Sequence, residues 1–164
     1  MKPKVIFNTD QQAATVYIMK VLDAPSPDVW MHFTNPDLLD LWWAPKPWKA
    51  ETIKMNFGPN GIWNYMMSDP ENQKQYAGFK YHEINNHRSF DFTDFMSDDQ
   101  GNIMKDIPTS NWLVGFTGVE EGTKLTINIH FNNEAEMIKL MNMGFEERII
   151  TSLAQLETLL HKKD

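Results

Sequence analysis

Apolar and polar residues alternate with period two from Thr15 to Leu22 and again, in short runs, between Ala50 and Phe131; a period near four then takes over to the C-terminus. Over residues 123–131, Leu125, Ile127, Ile129 and Phe131 alternate with Lys124, Thr126, Asn128 and His130, which predicts a strand with one buried and one wet face. The same alternation sets Trp63 with Tyr65, Phe79 with Tyr81, Phe90 with Phe92, and Val114 with Phe116 on the covered face. The phase is weakest around Trp63, because Ile62 and Met66 make the other face apolar too. Turn chemistry at Gly58-Pro59-Asn60-Gly61, Asp69-Pro70, Asn85-Asn86, Asp98-Asp99-Gln100-Gly101 and Glu121-Gly122 delimits about six strands after Ala50, joined by short loops as an antiparallel meander.

Met137, Met141, Phe145, Ile149 and Leu153 recur every four residues and predict one long amphipathic helix over residues 134–161, capped by Asn133 with Glu136 three positions on. Met137, Ile138, Met141, Gly144, Phe145, Arg148, Ile149, Ser152, Leu156 and Leu160 fall on one broad face, with Lys139, Glu146, Glu147, Glu157 and His161 opposite. Residues 1–14 read as a polar leader and Thr15–Leu22 as the first strand. Two short helices follow, the first capped by Ser26 before Pro27 and the second by Asn35 before Pro36; Pro45 and Pro47 end helical structure. The expected fold class is α+β, with a sheet of about six or seven strands covered by the C-terminal helix.

The 164 residues suit a leader (1–14) and a single domain (15–164), large enough to bury a core without metals or disulfides. Zero cysteines exclude a disulfide scaffold, a thiol nucleophile and thiolate-held metal, and fit a reducing compartment. No segment has the length of a signal peptide's apolar core or of a membrane span, so a cytoplasmic location is expected. A net charge of -7 without a Lys/Arg cluster disfavours nucleic acid as a partner. The 6 Trp, 10 Phe and 11 Met suit an adaptable apolar cavity as well as they suit a solid aromatic core.

Several short motifs, in order, resemble the activator of heat-shock-protein-90 ATPase homologue family, within the START and pollen-allergen-like helix-grip (SRPBCC) superfamily. They are Asp23-Ala24-Pro25 with Val29-Trp30, Asn35-Pro36 leading to Trp42-Trp43-Ala44-Pro45, Gly61-Ile62-Trp63-Asn64-Tyr65, Gly78-Phe79-Lys80-Tyr81, Gly122-Thr123-Lys124-Leu125-Thr126, Gly144-Phe145, and Leu153-Ala154-Gln155-Leu156. The resemblance implies a curved antiparallel sheet gripping a long helix, with a hydrophobic cavity between them. It also raises regulation of a chaperone ATPase, although in the eponymous proteins this domain follows a separate N-terminal one, where this sequence has only the short leader. One turn after Gly144, where the family usually has glycine followed by Trp or Phe, this chain has Arg148-Ile149. That cation either snorkels to the edge or pairs with a nearby carboxylate, or else it anchors an anionic head group, such as a carboxylate, inside an otherwise apolar pocket.

Candidate chemistry is sparse. Trp42 and Trp43 suit either packing of the short helices or a pocket lid, and one ring can serve each use. His82-Glu83 with His87 lacks the helical spacing of four that a zinc site of this type needs, and Asp98-Asp99-Gln100-Gly101-Asn102 lacks the alternating ligands and terminal Glu of a calcium loop. No phosphate-binding glycine loop or nucleophile elbow is present, and Ser152 beside Arg148 has no base. Among the carboxylates Asp40, Asp91 and Asp94, Asp91 falls on the wet face and no coupled pair stands out. No catalytic residue, metal or cofactor is therefore assigned, although the superfamily resemblance leaves a cyclase- or hydrolase-like enzyme as an alternative.

The expected activity is binding of a small hydrophobic or amphipathic ligand with an acidic end. Its walls would be Trp43, Trp63, Tyr65, Phe79, Tyr81, Phe90, Phe92, Val114, Phe116, Met137, Met141 and Phe145, with Arg148 as the cation. Whether the chain acts as a monomer or a homodimer is left open.

Overall fold

Eight strands form one antiparallel sheet in the order β1-β2-β8-β7-β6-β5-β4-β3 in the computed structural model, which describes residues 5–161. The strands are β1 (Ile6–Asp10), β2 (Thr15–Leu22), β3 (Lys49–Met55), β4 (Ile62–Ser68), β5 (Lys74–Asn85), β6 (Ser89–Ser97), β7 (Ser110–Val119) and β8 (Gly122–Phe131). The helices are α1 (Ser26–Thr34) and α2 (Pro36–Trp42) after β2, then α3 (Glu134–Asn142) and α4 (Phe145–His161). From β3 to β8 the chain is the expected meander, and β2 closes onto β8. No helix among the described residues is long and apolar enough to cross a membrane.

Alternation sets the covered face. Trp63, Tyr65, Phe79, Tyr81, Phe90, Phe92, Trp112, Val114 and Phe116 are all buried. Their rings meet edge-on or stacked, as where Phe79 lies over Phe92 with centroids 3.8 Å apart and planes 15° apart. α1 and α2 close one end of this layer, with Trp30 edge-on to Phe116 and Phe33 edge-on to Trp42. Asn35 and Asn133 cap α2 and α3 as expected, their side-chain oxygens accepting from the backbone N–H of Asp37 and Glu136. Ser26 does not cap α1; Pro25 holds that position, and the Ser26 hydroxyl instead lies 3.2 Å from that of Thr123.

Two further features depart from the sequence reading. The leader contains an additional strand, because Ile6–Asp10 pairs with β2 and brings the sheet to eight strands; residues 1–4, and 162–164 at the other end, lie outside the described residues. As an edge strand exposed over most of its length, β1 carries little apolar alternation to announce it. The long C-terminal helix is two helices. Gly144 has φ +86°, a left-handed conformation that ends α3, and its N–H donates to the Met141 carbonyl at 3.1 Å. The Gly144 carbonyl then accepts the Arg148 N–H at 3.1 Å, the first i to i+4 bond of α4 after the break.

Candidate functional site

A cavity of about 540 Å³ lies between the sheet and the elbow of α3 and α4. The sheet contributes Tyr65 and Met67 from β4, Lys74, Gln75 and Tyr76 from β5, Asp94 and Met96 from β6, and Trp112 from β7. Trp43, Pro45 and Trp48 enter from the connection between α2 and β3, and Met104, Ile107 and Pro108 from the loop before β7. Leu140 and Met143 face it from the α3 side of the elbow, and Phe145, Arg148, Ile149 and Ser152 from α4. Lys74, Gln75, Met143 and Arg148 are exposed and mark its mouth, whereas Tyr65, Trp112, Leu140 and Phe145 are buried deeper in.

One turn of α4 fixes the wall formed by Trp43. The Ser152 hydroxyl donates to the Trp43 carbonyl at 2.7 Å, and the Gln155 amide donates to the carbonyls of Trp42 and Ala44, each at 2.9 Å. The Gln155 oxygen accepts the Lys46 N–H at 2.9 Å. These bonds satisfy chain ends that α2 leaves open and seat the two indoles differently. Trp42 is sealed in the core, donating to the His32 carbonyl at 2.9 Å, while half-buried Trp43 faces the cavity and donates to the Tyr65 hydroxyl at 2.8 Å. Ser152 thus holds the loop and is not a polar partner to Arg148.

Three polar side chains converge on this mostly apolar space. Asp94 continues the inward row of Phe90 and Phe92 on β6, in register with Phe79 of β5 and Ser110 of β7. It keeps some accessible surface because it faces the cavity and not packed atoms. Burial pushes its carboxyl up to about 7, against the opposing pull of the Arg148 cation. Burial also raises the Tyr65 hydroxyl far above the ordinary tyrosine value, reinforced by the Asp94 charge and opposed by the Trp43 hydrogen bond and by Arg148. Among the described residues, no hydrogen bond or ion pair engages the Asp94 carboxyl or the Arg148 guanidinium, and no acceptor takes the Tyr65 O–H. At this site Arg148 therefore stands at the rim, facing the cavity and in electrostatic reach of Asp94 and Tyr65, without an ion-pair partner among the described residues.

Of the wall residues expected from sequence, Trp43, Tyr65, Phe145 and Arg148 line the cavity. Trp63, Phe79, Tyr81, Phe90, Phe92, Val114 and Phe116 do not; their bulk fills the concave face beneath α1 and α2 as a solid aromatic core. Met137 and Met141 line a separate cleft of about 210 Å³ beside Thr9 and Gln11, because the break at Gly144 swings α3 toward the β1 side. Asp94, one of the three carboxylates considered from sequence, faces the cavity, and its place two residues after Phe92 is the signal that puts it on the covered face. Leu140 and Met143 fall outside the helical face expected from a single helix and border the cavity next to the break at Gly144.

Asp40, Asp91, Asp98 and His82 have local partners away from the cavity. Asp40 accepts the Thr52 hydroxyl at 2.6 Å and the Thr52 N–H at 3.1 Å, tying α2 to β3. Asp91 accepts the Glu83 N–H at 2.6 Å where β5 is irregular. Asp98 accepts the N–H groups of Gln100 and Asn102, each at 2.9 Å, and these backbone bonds, Asn102's foremost, hold its carboxyl below the usual range. His82 is bonded to the Thr93 hydroxyl at 2.8 Å, and His87 sits at φ +69° in the turn after β5.

The fold is shared with proteins of known structure. Protein Ms6760 from Mycobacterium smegmatis superposes with a TM-score of 0.87 at 24% identity, over 96% of this chain and 97% of that one. A protein from Arthrobacter aurescens gives 0.91 at 25% identity over 96% and 91%, and the AHSA1 protein from Silicibacter pomeroyi gives 0.73 at 16% over 92% and 100%. No curated protein matches. Residues 23–161 match the family described as Activator of Hsp90 ATPase homolog 1-like protein, and the chain belongs to that family.

Proposed function

We propose that the chain binds a small amphipathic molecule in the cavity at the α3–α4 elbow, without catalysis. The observation that carries this reading is the cavity itself: about 540 Å³, walled mainly by aromatic and aliphatic side chains, with Tyr65, Asp94 and Arg148 in electrostatic reach of one another along it. Ligand sites have this size and this economy of polar contacts. An apolar body would lie against Trp43, Trp112, Phe145 and Ile149, and its polar end would face Tyr65, Asp94 and Arg148. The solid core around Phe79 and Phe92 provides a rigid floor. A reducing, cytoplasmic setting suits a chain without cysteine.

The test is gentle purification followed by native mass spectrometry and solvent extraction. A small molecule released on denaturation, and absent from an Ile149→Trp variant that fills the cavity, supports the reading. Identical masses for both proteins, together with failure of apolar probes to bind either, would remove it.

Family membership favours a second reading, an interaction with a chaperone ATPase. An unchanged ATP turnover of the cognate chaperone on adding the purified protein counts against that role and leaves the ligand-binding reading intact.

A further inference from the structure

We infer that the cavity selects apolar carboxylic acids, holding the ligand carboxylate against Arg148 with the Tyr65 hydroxyl and the Asp94 side chain beside it. This rests on the ligand-binding reading of the cavity and names its ligand class and its proton dependence.

The inference stands on three groups left unspent at one place. Tyr65 already accepts the Trp43 N–H at 2.8 Å, so its own O–H is the donor that remains, and accepting one bond strengthens the bond it gives. Arg148 has no carboxylate partner among the described residues and offers the forked donor geometry that matches a carboxylate. Asp94 faces the same space and has no donor to stabilise its anion. An ionised Asp94 would repel a ligand carboxylate, whereas a protonated one would share a short hydrogen bond with it. A neutral ligand would gain nothing from the Arg148 charge, and a cationic ligand would meet it as a like charge. The flat walls of Trp43, Trp112 and Phe145 favour an aromatic body.

The proton dependence follows from what surrounds Asp94. The charged and titratable side chains lining the cavity with it are Tyr65 from β4, Lys74 and Tyr76 from β5, and Arg148 from α4; β7, α3 and the loop before β7 contribute apolar walls. Its carboxyl titrates near 7, while an ordinary ligand carboxylate remains ionised well below that. Affinity for a carboxylate should therefore rise as pH falls through neutrality.

Isothermal titration calorimetry with 2-naphthoate and its neutral counterpart 2-naphthalenemethanol, at about pH 6 and about pH 8.5, tests this. Naphthoate should bind the wild type about tenfold or more tightly at the lower pH, and the alcohol should change little. Asp94→Asn should flatten the naphthoate profile, and Arg148→Gln should weaken naphthoate about tenfold while sparing the alcohol. The wild-type comparison stands even if a variant fails to fold. Binding of both compounds without pH dependence would overturn the carboxylate inference and leave the binding cavity in place; binding of neither would overturn both.

Discussion

The indole N–H of Trp43 donates to the hydroxyl oxygen of Tyr65 across 2.8 Å, joining the end of α2 to β4 at the wall of the cavity. This bond ties the two rings together and leaves the Tyr65 O–H available as a donor at the cavity wall. Tyr65→Phe removes the acceptor of a half-buried indole donor. Chemical denaturation should show a loss of about 1 kcal/mol, and a ligand bearing an acceptor should bind more weakly.

Asp94 couples stability to pH. Its folded carboxyl is raised from 3.8 to about 7, so the native state holds the proton more tightly than the unfolded chain. The contribution is most favourable below about pH 4 and is lost as pH rises through about 7. Asp94→Asn, which keeps the shape and removes the charge, should stabilise the protein by about 2 kcal/mol at pH 8 and have little effect near pH 4. Urea midpoints at the two pH values check the difference.

Lys20 is buried on β2 and its Nζ lies 3.3 Å from the Glu157 carboxylate of α4. The helical pattern assigned Glu157 to the outer face, yet α4 lies low enough on the sheet for that side chain to reach the buried cation. Glu157→Ala leaves the cation unpaired and should cost about 3 kcal/mol. The paired change Lys20→Met with Glu157→Leu should recover most of that loss in thermal unfolding.

Gly144 is the hinge residue of the elbow, and its φ of +86° is the reason. A Cβ there meets no atom within 4 Å, so Gly144→Ala acts through backbone strain and not through a clash. Stability should fall by about 1 to 2 kcal/mol, and ligand affinity should fall with it because Leu140, Met143, Phe145 and Arg148 stand on either side of the bend.

How far the sequence could be read depended on whether a signal was repeated. From Ala50 to Phe131 apolar alternation recurs strand after strand, so the order of β3 to β8 and the buried face were legible. Asn35 and Asn133 were legible as caps because a single side chain does that job locally. The elbow was hidden because Met141, Phe145 and Ile149 keep a spacing of four through Gly144, and periodicity carries no record of φ. The core and the cavity wall could not be separated for a similar reason. Phe79 and Phe145 look alike in sequence, and only packing shows that one is sealed beneath its neighbours and the other borders empty space. Asp94 was in phase with Phe92, but a lone carboxylate in an apolar row reads as an interruption until the cavity beside it is seen.

A small amphipathic molecule in the cavity would set its polar end at Tyr65, Asp94 and Arg148. The most direct measurement is a titration of isotope-labelled protein with 2-naphthoate, followed by amide and indole chemical shifts. Saturable shifts should concentrate at the Trp43 indole and at Tyr65, Asp94, Phe145 and Arg148, with the core around Phe79 and the cleft at Met137 and Met141 little changed. Shifts centred on that cleft, scattered over the surface, or absent would contradict this placement.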